Sequence, residues 1–272
     1  MPHQQALIDF TLQLADNALI LGHRNSEWTG HGPVLEQDIA LSNIALDLIG
    51  QARYFYQYAA RLINQSGQEA PGADVTEDSL AYLRDGWDFK NCLLVEQANG
   101  DWARTILRQF LFTAAQYYLY ERLQHSKDAE LAAISEKAYK EVVYHLRWSS
   151  EWVIRLGDGT VESHARMETA LGDLWKFTGE LFIPAAYEQS LVHEGIAVEL
   201  SSLQPKWEEK VREIFSEAGL IYPDDIGKAG EPGIRKKGGL LAGGKEGRHT
   251  EQLGYILAEM QFLQRAYPGC EW

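Results

Sequence analysis

Apolar residues return at three- and four-residue intervals at Leu41, Ile44, Ala45, Leu48, Ala52, Phe55, Tyr56, Ala59 and Ile63. Period-two alternation would mark a strand; this spacing predicts a helix over about residues 35–65 with one continuous buried face. At 1.5 Å per residue such a helix is about 45 Å long, so its buried face must pack on other long helices. A second pattern, Leu131, Ile134, Ala138, Val142, His145, Trp152 and Leu156, stops at Gly157-Asp158-Gly159, a capping turn. Two further helices are expected at about 4–23 and 101–125, which puts four long helices in the first 157 residues and reads as a four-helix bundle.

The connection over 66–99 contains Pro71-Gly72, a short helix near 76–84 and the stretch RDGWDFKN. Its length suits ferritin-like topology better than an up-down bundle with short loops. Helices at about 160–181, 185–194, 202–219 and 248–267 are expected to wrap the bundle, and Tyr222–Gly247, rich in Gly and charge, to form a loop lying on the surface or on a partner. The expected fold is therefore all-α: one ferritin-like four-helix domain over 1–272 with additional C-terminal helices. Its core lies at about 4–157, with peripheral helices and a basic loop over 158–272. With 272 residues, 45% of them hydrophobic, the chain buries a sizeable core unaided.

Cys92 and Cys270 match no CxxC spacing, and a reducing cytoplasm fits them best. The N-terminus has no basic n-region and carries Asp9 and Asp16 inside its apolar pattern, unlike a signal peptide. No apolar run reaches the roughly 18 residues of a membrane helix. A net charge of −14 repels a phosphate backbone, so neither membrane nor nucleic acid is expected as a partner.

Two polar pairs interrupt the apolar stripes at i, i+4: Asp47 with Gln51 and Glu141 with His145. Both are read as buried hydrogen-bonded or ion-paired groups, because a dinuclear metal site in a bundle needs Glu-x-x-His pairs at i, i+3 on long helices. The literal match Glu246-Gly-Arg-His249 borders a Gly-rich loop and is set aside as coincidence. Gly239, Gly244 and Lys245 satisfy most of a P-loop, but Glu246 stands where Ser or Thr should hold magnesium. Arg235, Lys236, Lys237, Lys245 and Arg248 form a basic cluster that either contacts a phosphate or acidic partner or is a solvated loop. Asp88, Phe89, Lys90 and Asn91 combine an aromatic ring, a cation and an amide, as at the edge of a nucleotide-like ligand. Trp148, Trp152 and Trp175 read as helix packing, and no Ser/His/Asp or Cys/His triad is recognisable.

The segments EWTGHGPVLEQDIALSNIALDLIGQAR, NCLLVEQANGDWA, KEVVYHLRW and GGKEGRHTEQLGYILAEMQFLQRAYPG resemble the structural C-subunit family of the phenylacetyl-CoA 1,2-epoxidases, over about residues 7–272. The resemblance implies a component of a multicomponent monooxygenase complex of phenylacetate catabolism. A homologous A subunit would hold di-iron and epoxidise the ring of phenylacetyl-CoA. A reductase carrying flavin and iron–sulfur centres would supply electrons from NADPH. The C-type chain would be a non-catalytic scaffold that pairs with A, alongside other subunits, and binds no cofactor itself. Laid on this chain, the A-type ligand positions fall on Ala18, Leu48, Gln51, Thr113, Val142 and His145, of which only His145 keeps a ligand side chain. The resemblance also implies a phenylacetyl-CoA edge at the shared interface, through Asp88–Asn91 and Gln189, Ser190 and Leu191. There Phe89 would stack on adenine and Lys90 meet a phosphate. Rival readings are an independent di-iron oxygenase using Glu36, Asp47, Glu141 and His145, and a CoA-binding module acting through the basic loop.

Overall fold

The computed structural model describes residues 3–67, 74–225 and 241–270, and no strand occurs among them. The chain runs α1 (His3–Ser26), α2 (Leu35–Ser66), α3 (Glu77–Tyr82), α4 (Leu93–Glu96), α5 (Trp102–Leu123) and α6 (Ala129–Gly157). It continues through α7 (Val161–Leu174), α8 (Ala186–Glu194), α9 (Gln204–Glu217), α10 (Glu251–Met260) and α11 (Phe262–Ala266). No helix among the described residues is long and apolar enough to cross a membrane.

The four long helices start and stop where local chemistry dictates. The side chains of Asp101 and Asp128 accept from Arg104 N and Leu131 N, capping α5 and α6, while Gly67 ends α2 in the left-handed conformation. α1 packs on α2, and α5 on α6, to make the bundle. α2 buries the face set by Leu41, Ile44, Leu48, Ala52, Phe55 and Ala59, as its spacing predicts. α1 differs, being buried on all sides from Ala6 to Gly22 because α8 and α4 cover the face that α2 leaves open. Trp102 sits edge-on to Trp28, Trp148 and Trp152, and both of the latter donate their indole N–H to Gln37 Oε1, at 3.1 and 2.7 Å.

Three expectations need correction. The helix expected over 160–181 stops at Leu174 and tightens into 3₁₀ turns at Trp175–Phe177 and Gly179–Phe182, because Glu180 is drawn inward to bind backbone amides. The helix expected over 248–267 breaks at Gln261, whose amide donates to Ala81 O and Arg84 O instead of facing solvent. The stretch 241–247 is no surface loop at its end. A Cβ on Gly244 would collide with Asn91 O, and one on Gly247, at φ +81°, with Trp87 O, so this segment lies hard against the 86–93 crossover. The part of the expected loop over 226–240 lies outside the described residues.

Candidate functional site

In the bundle interior, Ala18, Leu48, Gln51, Thr113, Val142 and His145 are all buried. The two polar pairs form across helices rather than along them. His145 Nε2 lies 2.9 Å from Asp47 Oδ2, and Gln51 Nε2 donates to Glu141 Oε2 at 2.9 Å. They belong to a longer antiparallel ladder between α2 and α6. Lys137 donates to Tyr54 Oη at 2.7 Å, Tyr58 to Asp128 Oδ2 at 2.6 Å and Arg61 to Glu130 Oε1 at 2.5 Å. Burial pushes the Glu141 carboxyl up and the nearby Asp47 charge adds to this, against the opposing hydrogen bond from Gln51.

These residues do not fit a dinuclear centre. Ala18, Leu48 and Val142 carry no donor atom, and the Thr113 hydroxyl accepts from Gln109 Nε2 at 2.7 Å. His145 Nε2 is engaged by Asp47, and its Nδ1 is buried without a partner. Glu36 is exposed at the start of α2, away from this set. Among the described residues no three His, Cys, Asp or Glu side chains gather in a metal-binding group.

The densest chemistry lies at the other polar cluster, where four buried carboxylates bind the crossover and the C-terminal segment. Asp16 accepts from Tyr56 Oη at 2.5 Å, from Lys90 N at 2.7 Å and from the Arg84 guanidinium. Glu96 accepts from Asn91 Nδ2 at 2.9 Å and from Thr250 N and Oγ1, both at 2.7 Å, and His249 Nδ1 lies 2.8 Å away. Glu180 accepts from Leu93 N and Gly243 N at 2.7 Å and from Gly244 N at 2.8 Å. Glu188 pairs with Lys245 Nζ at 3.0 Å and accepts from Gln13 Nε2 and Ala185 N. The signal for these acids was present in the sequence only as carboxylates inside otherwise apolar segments, such as NCLLVEQ.

His249 is therefore a structural cation. Its Nε2, 2.9 Å from Phe89 O, must donate because a carbonyl only accepts, and Nδ1 donates to the Glu96 carboxylate. Burial pulls its pKa down, but the Glu96 bond and charge and the Phe89 carbonyl outweigh this, and the net shift is upward. A raised folded-state pKa stabilises in full below the unfolded value of about 6.5, and the contribution fades as pH rises through the folded value. The stability advantage of wild type over His249→Gln, read from urea midpoints, is expected to be largest near pH 6 and to shrink steadily towards pH 9. An advantage that grows with pH would show that the imidazole is held neutral.

The basic and ligand-edge residues are dispersed. Lys245 is not a solvated phosphate contact: its ammonium is buried against Glu188 and Ile183 O, because only an ion pair there makes burying Glu188 tolerable. Arg248 is exposed and pairs with Glu246, while Arg235, Lys236 and Lys237 lie outside the described residues. The Phe89 ring is fully buried under the Arg84 guanidinium and cannot stack on a base, and Asn91 is spent on Glu96 and Cys92 O. Asp88 and Gln189 are exposed, Lys90 and Ser190 half-buried, and Leu191 is core. Lys90 does join the two segments: its ammonium lies 3.5 Å from Asp9 on α1 and 5.4 Å from the Tyr187 ring on α8.

The fold and the interior together define a ferritin-like helical bundle whose interior is filled by apolar and hydrogen-bonded side chains. The chain belongs to the phenylacetic acid catabolic protein family, whose profile it matches over residues 1–272. It is similar to a protein of Escherichia coli (strain K12) that is named as the C subunit of 1,2-phenylacetyl-CoA epoxidase. The two are 47% identical over 266 residues, covering 98% of this chain and 99% of that protein.

Proposed function

We propose that this chain is the non-catalytic structural subunit of a multicomponent phenylacetyl-CoA 1,2-epoxidase, pairing with a homologous di-iron subunit that performs the oxygenation in aerobic phenylacetate catabolism. The reading rests on its similarity to a protein named as the C subunit of that enzyme, and one observation carries the non-catalytic part. The interior positions that would hold metal are Ala18, Leu48, Thr113 and Val142, and the remaining histidine is tied to Asp47. A partly open cavity among α1, α5 and α8, lined by Gln13, Cys92, Gln116 and Lys245, measures about 40 Å³, too small at that place for a chamber of the roughly 300 Å³ that a ligand fills. Reductase, flavin, iron–sulfur centre and NADPH belong to a separate component in this scheme, and phenylacetyl-CoA lies where the two chains meet, with Asp88, Lys90, Gln189 and Ser190 accessible to it.

Iron content of the chain purified alone, with O₂-dependent turnover of phenylacetyl-CoA in the presence and absence of the catalytic partner and reductase, tests this directly. Negligible iron and strictly partner-dependent turnover are expected; about two irons per chain would make this an oxygenase. In the assembled enzyme His145→Ala is expected to leave turnover within about twofold of wild type, whereas loss of a working acid–base histidine costs roughly 10²–10⁴-fold. A loss on that scale in a correctly assembled complex would assign His145 to the chemistry.

A further inference from the structure

Gln13 on α1 has only half of its hydrogen-bonding capacity met by the fold. It is 4% exposed, and its Nε2 donates to Glu188 Oε1 at 3.1 Å, which fixes the end of the amide that faces the carboxylate. Its buried Oε1 receives no protein donor. One turn along the same helix, Asn17 Oδ1 accepts from Cys92 N at 2.8 Å, which orients that amide too and leaves Nδ2 without an acceptor among the described residues. On α5, Gln116 is 3% exposed; its amide bonds the Tyr120 hydroxyl and its buried Oε1 has no donor. The hydroxyl proton of Tyr120 has no acceptor among the described residues. Exchanging the two ends of the Gln116 amide changes which atom is left over, but one always is.

All four side chains line one space, the partly open cavity of about 40 Å³ among α1, α5 and α8. Spacing of four residues puts Gln13 and Asn17 on one side of α1, and Gln116 and Tyr120 on one side of α5. A buried water needs about 10–15 Å³ of such volume and two to four polar partners, so there is room for about two or three. The rest of the wall is largely apolar, through residues such as Leu14, Phe112 and Leu203, and a wholly apolar cavity would stay dry. The leftover amide ends decide against that, because buried polar groups find partners. An ion is the wrong occupant: among the described residues the charges on this wall are Glu188 and Lys245, which lie 3.0 Å apart and cancel. The leftover groups are of both kinds, acceptors on Gln13 and Gln116 and donors on Asn17 and Tyr120, so the molecule that suits them is neutral and both donates and accepts.

We infer that this cavity is an internal hydration site: a small water cluster joins α1 to α5, donating to Gln13 Oε1 and Gln116 Oε1 and accepting from Asn17 Nδ2 and the Tyr120 hydroxyl. High-resolution crystals of the full wild-type chain test this without any variant. Solvent peaks within hydrogen-bonding distance of both glutamine oxygens are expected, and xenon under pressure should find no place beside them. Xenon packed against Leu14 and Phe112 would mean a dry, apolar cavity and overturn the inference, as would the absence of solvent at both oxygens. Gln116→Leu removes one acceptor and fills part of the space. Its crystals are expected to lose at least one of the peaks, with helical content in solution unchanged. Persistence of every peak in that variant would show that the Gln116 amide does not hold the cluster, and the site as assigned would fail.

Discussion

Glu96→Ala is expected to destabilise the chain by about 3–5 kcal/mol, the range found when one partner of a buried, hydrogen-bonded charge pair is removed. The carboxylate is fully buried and faces Asn91, His249 and both the amide and hydroxyl of Thr250. Alanine strands four donors away from water, one of them on a cation. The loss should be local first: residues 243–257 detach from the crossover and become open to protease before the α1/α2/α5/α6 bundle unfolds. Urea unfolding and the order of proteolytic cuts check this. A variant within about 1 kcal/mol of wild type, with the segment still protected, would mean that packing rather than the carboxylate holds the dock.

Lys245→Ala is the second large effect, again about 3–5 kcal/mol, because it leaves Glu188 charged and buried without its counter-ion. A surface lysine would cost within about 0.5 kcal/mol, so the measurement separates the buried pair from a solvated basic loop. The pair itself need not be net stabilising. Lys245→Met combined with Glu188→Gln keeps an acceptor for Ala185 N and removes both charges, and it should recover more than half of the single-variant loss. A double cycle in which the two effects simply add would show that the groups do not act as a pair.

The four long helices were legible in the sequence because each rests on neighbours along the chain, whereas the early stop of α7 and the break at Gln261 depend on distant partners. The periodic face of α2, the aspartate caps of α5 and α6 and the stop after Gly157 need no knowledge of what lies opposite. The polar pairs were legible only in part. Spacing coupled Glu141 to His145 and Asp47 to Gln51 on their own helices, but the bonds run from α2 to α6, and which side chains meet across two helices depends on their relative rotation and register. The dock was not legible. Charged residues in a Gly-rich stretch default to solvent, and Lys245 is buried only because Glu188, far away in sequence, waits for it. The same holds for Glu180, whose acceptors are filled by amides of Leu93, Gly243 and Gly244 rather than by any side chain that a motif could name.

The enclosure of α1 on all sides has a consequence for synthesis. Of the helices described, this one is translated first, yet Asp16 finds Arg84 and Lys90 only after the crossover is made, and Gln13 finds Glu188 a further hundred or so positions on. Glu188 then needs Lys245. Until those residues emerge, α1 is a sticky rod with unpaired polar groups, and α2 alone can cover only one side of it. Contacts of such long sequence separation close slowly. The nascent chain is thus expected to be a substrate for holdase chaperones through most of its translation, and a ribosome stalled before Gly243 holds a polypeptide that has α1 to α9 but not the means to lock them together.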